Sequence, residues 1–275
     1  MKKNVCYFGD DAIGGAASYL SGVMSHYGIT YDRVDSGFAP RPLFFDTDYD
    51  LYVLSDYPRT AIDGTPVLEH IVRAVTEKGS GLLMIGGWES FHGRLGEYHN
   101  TPIAPILPVI MEKKDDRRNY PVSLLMHPCA EHPITDGLPW ETPPGIGGFN
   151  AFKVKKDATL LIEGLRFNIT LRDDSDPPPS SLHFTSLRIP TPLSPILSLS
   201  LAETVPLLAI GRAGNGRTVA FASDAAPHWV GGFVDWGIKR IYQKIGEGFI
   251  EVGEDYALFW RNLIRWTARL DGGER

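Results

Sequence analysis

The chain has 275 residues, 43% of them hydrophobic and 22% charged, with a net charge of −6 at neutral pH. A chain of this length buries about three quarters of its unfolded surface, so a single domain over residues 1–275 is expected. The mild negative charge leaves no footprint for nucleic acid or anionic lipid, and no apolar run reaches membrane-spanning length; the expected partners are a small polar molecule and a second copy of the chain in a homo-oligomer, a dimer.

The opening "MKKNVCYFGDD" runs straight into a strand-like segment rather than a long apolar stretch with a cleavage site, so it does not read as a signal peptide. Two cysteines, Cys6 and Cys129, cannot form a disulfide framework, and a cytoplasmic location is expected. "NVCYFGDD" predicts a buried strand ending in acidic turn residues. "AIGGAASYLSGVMSHYG" then spaces Leu20, Val23, Met24 and Tyr27 at helical intervals before Gly28. "ITYDRVDS" and "YDLYVLSDYP" supply a second and a third strand. "PVLEHIVRAVTEKG" predicts a helix with Pro66 in its first turn and Gly79 at its cap, and "GLLMIGG" is the fourth strand. Strands alternating with helices at this spacing imply right-handed crossovers and a doubly wound α/β fold, its sheet mostly parallel with helices on both faces.

The stretch from about 95 to 160 is rich in Pro and Gly and reads as loops with short strands, ending in the strand "ATLLIEG". Residues 171–203, dense in Pro and Ser, read as an irregular insertion; Leu197, Leu199 and Leu201 alternate with serines there as in a half-exposed strand. "VPLLAIGRAGNGRTVAFASD" places two apolar runs around Gly-Asn-Gly, a hairpin signal. "YALFWRNLIRWTARL" closes the chain as an amphipathic helix with Leu258, Phe259, Leu263 and Trp266 on its apolar side.

In open parallel sheets ligands bind beyond the carboxyl ends of the strands. Those ends deliver Asp10 and Asp11, then Ser55 and Asp56, then Trp88, Glu89, Ser90 and His92, and finally Ser223, Asp224, Pro227, His228 and Trp229. Carboxylates and imidazoles beside tryptophans suit acid–base chemistry, a metal or a polar ring. Asp10, Asp11 and Asp56 are expected to cap the helices that follow them. Glu89, His92 and His228 sit among Gly and Trp, away from any evident helix start, and are the stronger candidates.

"GLLMIGGWESFHG", "HPITDGLPW" and "GRTVAFASDAAPHWVGGFVDW", followed by the closing "FWRNLIRW" helix, resemble the bacterial "putative glutamine amidotransferase" family, within the class I glutamine amidotransferase-like superfamily that also contains the ThuA-like proteins. The resemblance spans roughly residues 45 to 270 and implies a flavodoxin-like sheet. It also implies a nucleophile elbow, G-x-C-x-G after a strand, with a His and a Glu two residues beyond it. Here Gly86-Gly87-Trp88-Glu89-Ser90 occupies the elbow with Trp88 at the nucleophile's place; His228 matches the histidine, and Val230 stands where the glutamate would be. A degenerate triad without thiol or glutamate does not support glutamine hydrolysis.

The expected site therefore has Trp88 and Trp229 as walls and Glu89, Ser90, His92 and His228 as polar contacts to a small polar ligand, a carbohydrate-like one being favoured by the relation to ThuA-like proteins. The alternatives are a hydrolase or isomerase using Glu89, His92, Asp224 and His228, assisted by acid–base chemistry or by a metal, and an oligomeric interaction protein. Ser90 lacks the flanking glycines of a serine elbow. Glu89, His92 and His228 form a sensible ligand set without a recognisable spacing motif, so no metal is assigned. "HPCAEHP", with His127, Cys129, Glu131 and His132, reads as structural. "GRAGNGR" lies between strands and lacks the helix N-terminus of a phosphate cradle, so no cofactor is expected. "EKKDDRRNY", 112–120, mixes both signs and reads as a solvated loop.

Overall fold

The computed structural model describes residues 3–10, 14–173 and 195–270. In chain order the elements are β1 (Lys3–Gly9), α1 (Ala17–His26), β2 (Tyr31–Val34), β3 (Tyr49–Ser55), α2 (Val67–Arg73), β4 (Gly81–Ile85), β5 (Val109–Met111), β6 (Arg117–Pro128), β7 (Gly145–Asn150) and β8 (Phe152–Val154). There follow β9 (Thr159–Asp173), β10 (Pro195–Ala213), β11 (Gly216–Phe221), α3 (Pro227–Val230), β12 (Arg240–Ile245), β13 (Gly248–Gly253) and α4 (Glu254–Thr267).

Nine strands form one sheet in the order β2-β1-β3-β4-β11-β10-β9-β6-β7. From β2 to β11 every pairing is parallel; from β11 to β7 every pairing is antiparallel. The expectation of a mostly parallel sheet is thus corrected to a mixed α/β sheet. The Pro- and Gly-rich middle of the chain does not stay as loops: it builds the antiparallel half, because strands joined without crossover helices pair antiparallel. β1 to β2 steps one way along the sheet and β3 to β4 the other, so right-handed crossovers place α1 and α2 on opposite faces.

The strands read as continuous apolar runs because they are covered on both sides: every residue of β4 is buried, and β3 nearly so. The β10–β11 hairpin forms as expected, with Ala213 opposite Gly216. Pro66 precedes α2, which continues through a π turn over Ala74–Lys78 to Gly79. β12–β13 was not anticipated; its strands flank Gly246 and carry exposed side chains, which blurs their apolar alternation. The expectation for 171–203 falls partly on residues 174–194, outside the described residues; from Pro195 the chain is the regular strand β10, where Leu199 and Leu201 are exposed together with Ser198 and Ser200, so the half-exposed alternation does not form.

α4 buries Tyr256, Phe259, Trp260, Leu263 and Ile264, while Leu258 and Trp266 are only half-buried. Phe221 at the end of β11 lies 5.6 Å from the Phe259 ring and 5.3 Å from that of Trp260, and Phe233 packs on both. This aromatic cluster clamps the chain segment just after β11, and the Tyr256 hydroxyl donates to the Ala225 carbonyl within it. The helix therefore fixes where Asp224 and His228 stand.

Phe259→Ala should cost about 3–5 kcal/mol through lost burial and the cavity left behind, read as a lower urea midpoint. Leu199→Ser on the exposed ribbon of β10 should change stability by no more than about 0.5 kcal/mol.

Candidate functional site

β1 and β3 end side by side where the crossovers diverge, which is where an open α/β sheet leaves a crevice. At Gly9 the backbone turns with φ of 120°, and a Cβ there would lie 1.5 Å from the Ser55 carbonyl oxygen; only glycine allows the two strand ends this close. Asp10 follows in the left-handed region, φ 52°, with its N–H donating to Ser55 O at 2.9 Å. Its carboxylate is 3% exposed; one oxygen accepts the Tyr7 hydroxyl, and the other has no hydrogen-bond partner among the described residues.

Asp56 ends β3, also with a left-handed φ of 43°. Its Oδ1 accepts from Glu89 N–H at 2.6 Å, its own N–H donates to Ser90 Oγ at 2.9 Å, and its carbonyl accepts the Ser36 hydroxyl at 2.7 Å. Asp224, after β11, is fully buried; Oδ1 accepts from Ala226 N–H at 2.9 Å, and Oδ2 lies 2.9 Å from His228 Nε2. That second contact has ion-pair distance but not good hydrogen-bond direction, so Oδ2 lacks a well-aligned donor. Side-chain donor atoms of Asp56, Asp224 and His228 lie within 4.8 Å of one another, and the half-exposed imidazole opens the group to solvent.

Crowding these carboxyl groups out of water controls their protonation. Burial first, then the Asp224 charge, hold Asp10 well above the usual carboxylate range. The same two causes push Asp56 up to about 7. His228 is raised to about 8 by its contact with Asp224, against the opposing effect of partial burial.

The elbow after β4 wraps around Asp56. A Cβ on Gly87 would lie 2.2 Å from the Asp56 carboxylate, so the turn can press onto that carboxylate only as glycine. Gly87 N–H donates to Asn150 Oδ1 at 2.8 Å, and Asn150 Nδ2 donates back to Gly87 O at 3.1 Å and to Asp116 Oδ1 at 2.8 Å. Fully buried Asp116 also accepts from His92 N–H and Gly93 N–H, both at 2.9 Å. The Arg117 guanidinium sits 4.5 Å over the Trp88 ring.

Several expectations change accordingly. Asp10 and Asp56 do not cap helices: Ala16 and Pro66 hold the cap positions of α1 and α2 without side-chain hydrogen bonds, and both carboxylates turn into the strand ends. Asp11 lies outside the described residues. The "solvated loop" 112–120 supplies buried Asp116, Arg117 over Trp88, and Asn119, which accepts from Trp229 Nε1 at 2.6 Å. Trp229 is therefore a buried packing residue, 6% exposed, not an open wall. Ser90 is buried and bonded to Asp56 N–H. His92 directs Nδ1 toward His99 Nδ1 at 2.9 Å, and neither it nor Glu89 joins the Asp56–Asp224–His228 group. Glu89 sits at the rim with an oxygen 3.5 Å from Ser36 Oγ, and Trp88 is 48% exposed beside it.

Tyr7, Ser36, Asp116 and Asn150 were missed. Asn150 stands in "GGFNAF" with no sequence signal; Asp116 was hidden in a charge-rich run whose neighbours are exposed. Neither cysteine joins the group of donors. Cys6 is buried within β1 with its thiol pushed up by burial, and Cys129 is exposed beyond β6 with its Sγ 3.9 Å from the His127 carbonyl oxygen. In the same loop His132 Nδ1 accepts from Ile134 N–H at 3.2 Å and its ring packs on Trp266, consistent with a structural part.

Residues 46–169, which carry Asp56 and the whole elbow, match the family model described as "Putative glutamine amidotransferase". That match supports a place in the class I glutamine amidotransferase-like superfamily for this stretch. Two solved structures resemble this amidotransferase-like protein over nearly its full length. The cytoplasmic protein STM3548 from Salmonella typhimurium is 22% identical, with 96% of this chain and 98% of that chain covered at a TM-score of 0.66. The cytoplasmic protein STM1381 from Salmonella typhimurium LT2 is likewise 22% identical, with 96% and 99% covered at 0.68. At that identity the likeness concerns the fold. No curated protein matches significantly, and among the described residues no helix is long and apolar enough to cross a membrane.

The imidazole of His228 should titrate near 8 by NMR and fall toward 6.5 in Asp224→Asn, where the charge that raises it is gone. Both the Asp56 and His228 shifts are upward, so the folded amidotransferase-like chain holds protons that the unfolded chain releases. The Asp56 contribution to stability is complete below 3.8 and lost as pH rises through about 7; that of His228 is complete below 6.5 and lost through about 8. Urea midpoints should therefore fall from about pH 5 to about pH 8, less steeply in Asp56→Asn. Asn150→Ala, which strands Gly87 and Asp116, should cost about 1–3 kcal/mol and speed amide exchange at Gly87.

Proposed function

We propose that this protein is an amidotransferase-like domain without glutaminase chemistry, which binds a small polar ligand at the carboxyl ends of β1, β3, β4 and β11. The strand order β2-β1-β3-β4-β11 supports a flavodoxin-like parallel unit extended by an antiparallel half. The observation that carries the reading is the juxtaposition of Asp56, Asp224 and His228 beside an elbow tipped by Trp88, with both thiols on other segments. A cysteine protease-like or glutaminase-like step needs a thiolate paired with a base; here His228 stands 2.9 Å from Asp224, and neither cysteine joins the group.

Carboxylates accept hydrogen bonds from hydroxyl groups, and the exposed face of Trp88 offers an apolar platform beside them. A polyol or small sugar fits that combination, with Asp56 and His228 as the reachable polar contacts and Glu89 at the rim. Compared with the sequence reading, the centre moves from Glu89 and His92 to Asp56 and Asp224.

Two measurements test this. Ammonia release from glutamine should stay at the background set by His228→Ala. Titration with a panel of monosaccharides and polyols should shift the His228 ring signals and the tryptophan emission, and His228→Ala should abolish the response. Glutamine hydrolysis blocked by a thiol reagent, or a panel that leaves His228 and Trp88 unperturbed, would overturn the proposal.

A further inference from the structure

We propose that Asp56, Asp224 and His228 hold one divalent cation of the zinc and manganese class, bound through two carboxylate oxygens and Nε2. The proposal rests on the reading of this place as the ligand-binding centre and names what the centre contains.

The donor set is one nitrogen and two oxygens from two chain segments, the end of β3 and the stretch after β11, all within 4.8 Å. Bonds of about 2.1 Å to a single ion put neighbouring donors about 3.0 Å apart in octahedral and about 3.4 Å apart in tetrahedral geometry. His228 Nε2 and Asp224 Oδ2 already stand 2.9 Å apart, close to the octahedral edge. Asp56 holds a carboxylate oxygen within 4.8 Å of both.

A second observation comes from unmet hydrogen-bonding capacity. Asp224 is fully buried, and its Oδ2, the atom facing His228, receives no well-directed hydrogen bond. Buried carboxylate oxygens are nearly always satisfied, and an ion at this position would satisfy it. Behind it, Asp10 is equally buried, with one oxygen lacking a partner among the described residues. A dipositive ion offsets the mutual repulsion of Asp10, Asp56 and Asp224, which the single half-exposed imidazole does only in part.

The chemistry selects the ion. An imidazole with two carboxylates suits zinc, manganese or ferrous iron better than magnesium, which favours all-oxygen coordination, or cuprous copper, which favours sulfur. Three protein ligands leave the remaining positions toward solvent, on the side where the His228 imidazole is half-exposed. A polyol could there supply hydroxyl oxygens directly to the ion.

The test uses the full chain stripped with EDTA and dialysed. Calorimetric titration with zinc chloride should give one site per chain, weakened about tenfold or more in Asp56→Asn, Asp224→Asn and His228→Ala, and unchanged in His132→Ala. Circular dichroism checks that the variants fold. In the unmodified chain, substoichiometric Mn2+ should broaden the amide signals of residues 9–10, 56–57 and 224–228 first, which guards against a variant that fails to fold. Absence of a stoichiometric site, equal zinc affinity in the three variants, or broadening centred on residues 127–132 would overturn the inference. The sugar panel, run on both the stripped and the zinc-loaded protein, separates the two claims: a His228 response without any zinc site retains the binding reading and removes the cation, and a zinc site without any sugar response in either form does the reverse.

Discussion

Three aspartates share the low-dielectric end of a parallel sheet, and the surroundings of that end follow from keeping them there. Asp10, Asp56 and Asp224 come from β1, β3 and the turn after β11; Asp10 feels the charges of Asp224 and Asp56, and Asp56 that of Asp224. Like charges held out of water are costly unless protonated, paired or hydrogen-bonded, and all three remedies are present. Asp10 is driven toward its neutral form beside Tyr7; Asp56 takes a backbone N–H from the elbow; Asp224 faces His228.

The two halves of the sheet divide the labour. The parallel half presents the aspartates at the point where the crossovers part, and the antiparallel half braces the turn that encloses them. Asn150 at the end of β7 and Asp116 just before β6 hold Gly87, His92 and Gly93 through four hydrogen bonds, and a fifth joins Asn150 to Asp116, so the elbow after β4 is shaped from across the sheet. In this chain the elbow presents no thiol. It serves instead to deliver the Glu89 N–H to Asp56 and to seat Trp88 under Arg117.

The parallel strands were legible because each is covered on both faces, so that "VCYF", "LYVL" and "GLLMI" are unbroken apolar runs, and because crossover helices separate them. The antiparallel half was hard to read for the converse reason: β6 has alternating exposure interrupted by an irregularity between Asn119 and Leu124, and its prolines look like loop residues. At the site, His228 and Asp224 were recognisable from their place after a strand. Asp10 and Asp56 resembled helix caps, since a residue's preference for a turn does not say which way its carboxylate faces. Asp116 looked solvated because its neighbours Asp115 and Arg117 are charged and pair with each other, whereas Asp116 turns inward.

The sequence by itself determined the α/β class, the positions of the first four strands, the closing amphipathic helix and the absence of a cysteine at the elbow, since these depend on periodicity, turn chemistry and residue identity along the chain. Tertiary structure alone decided that Asp56 joins Asp224 and His228, that His92 turns aside to His99, and that Asn150 and Asp116 hold the elbow. Those partners lie between 7 and 172 positions apart, and only the order in which strands pair brings such distant side chains into one low-dielectric pocket.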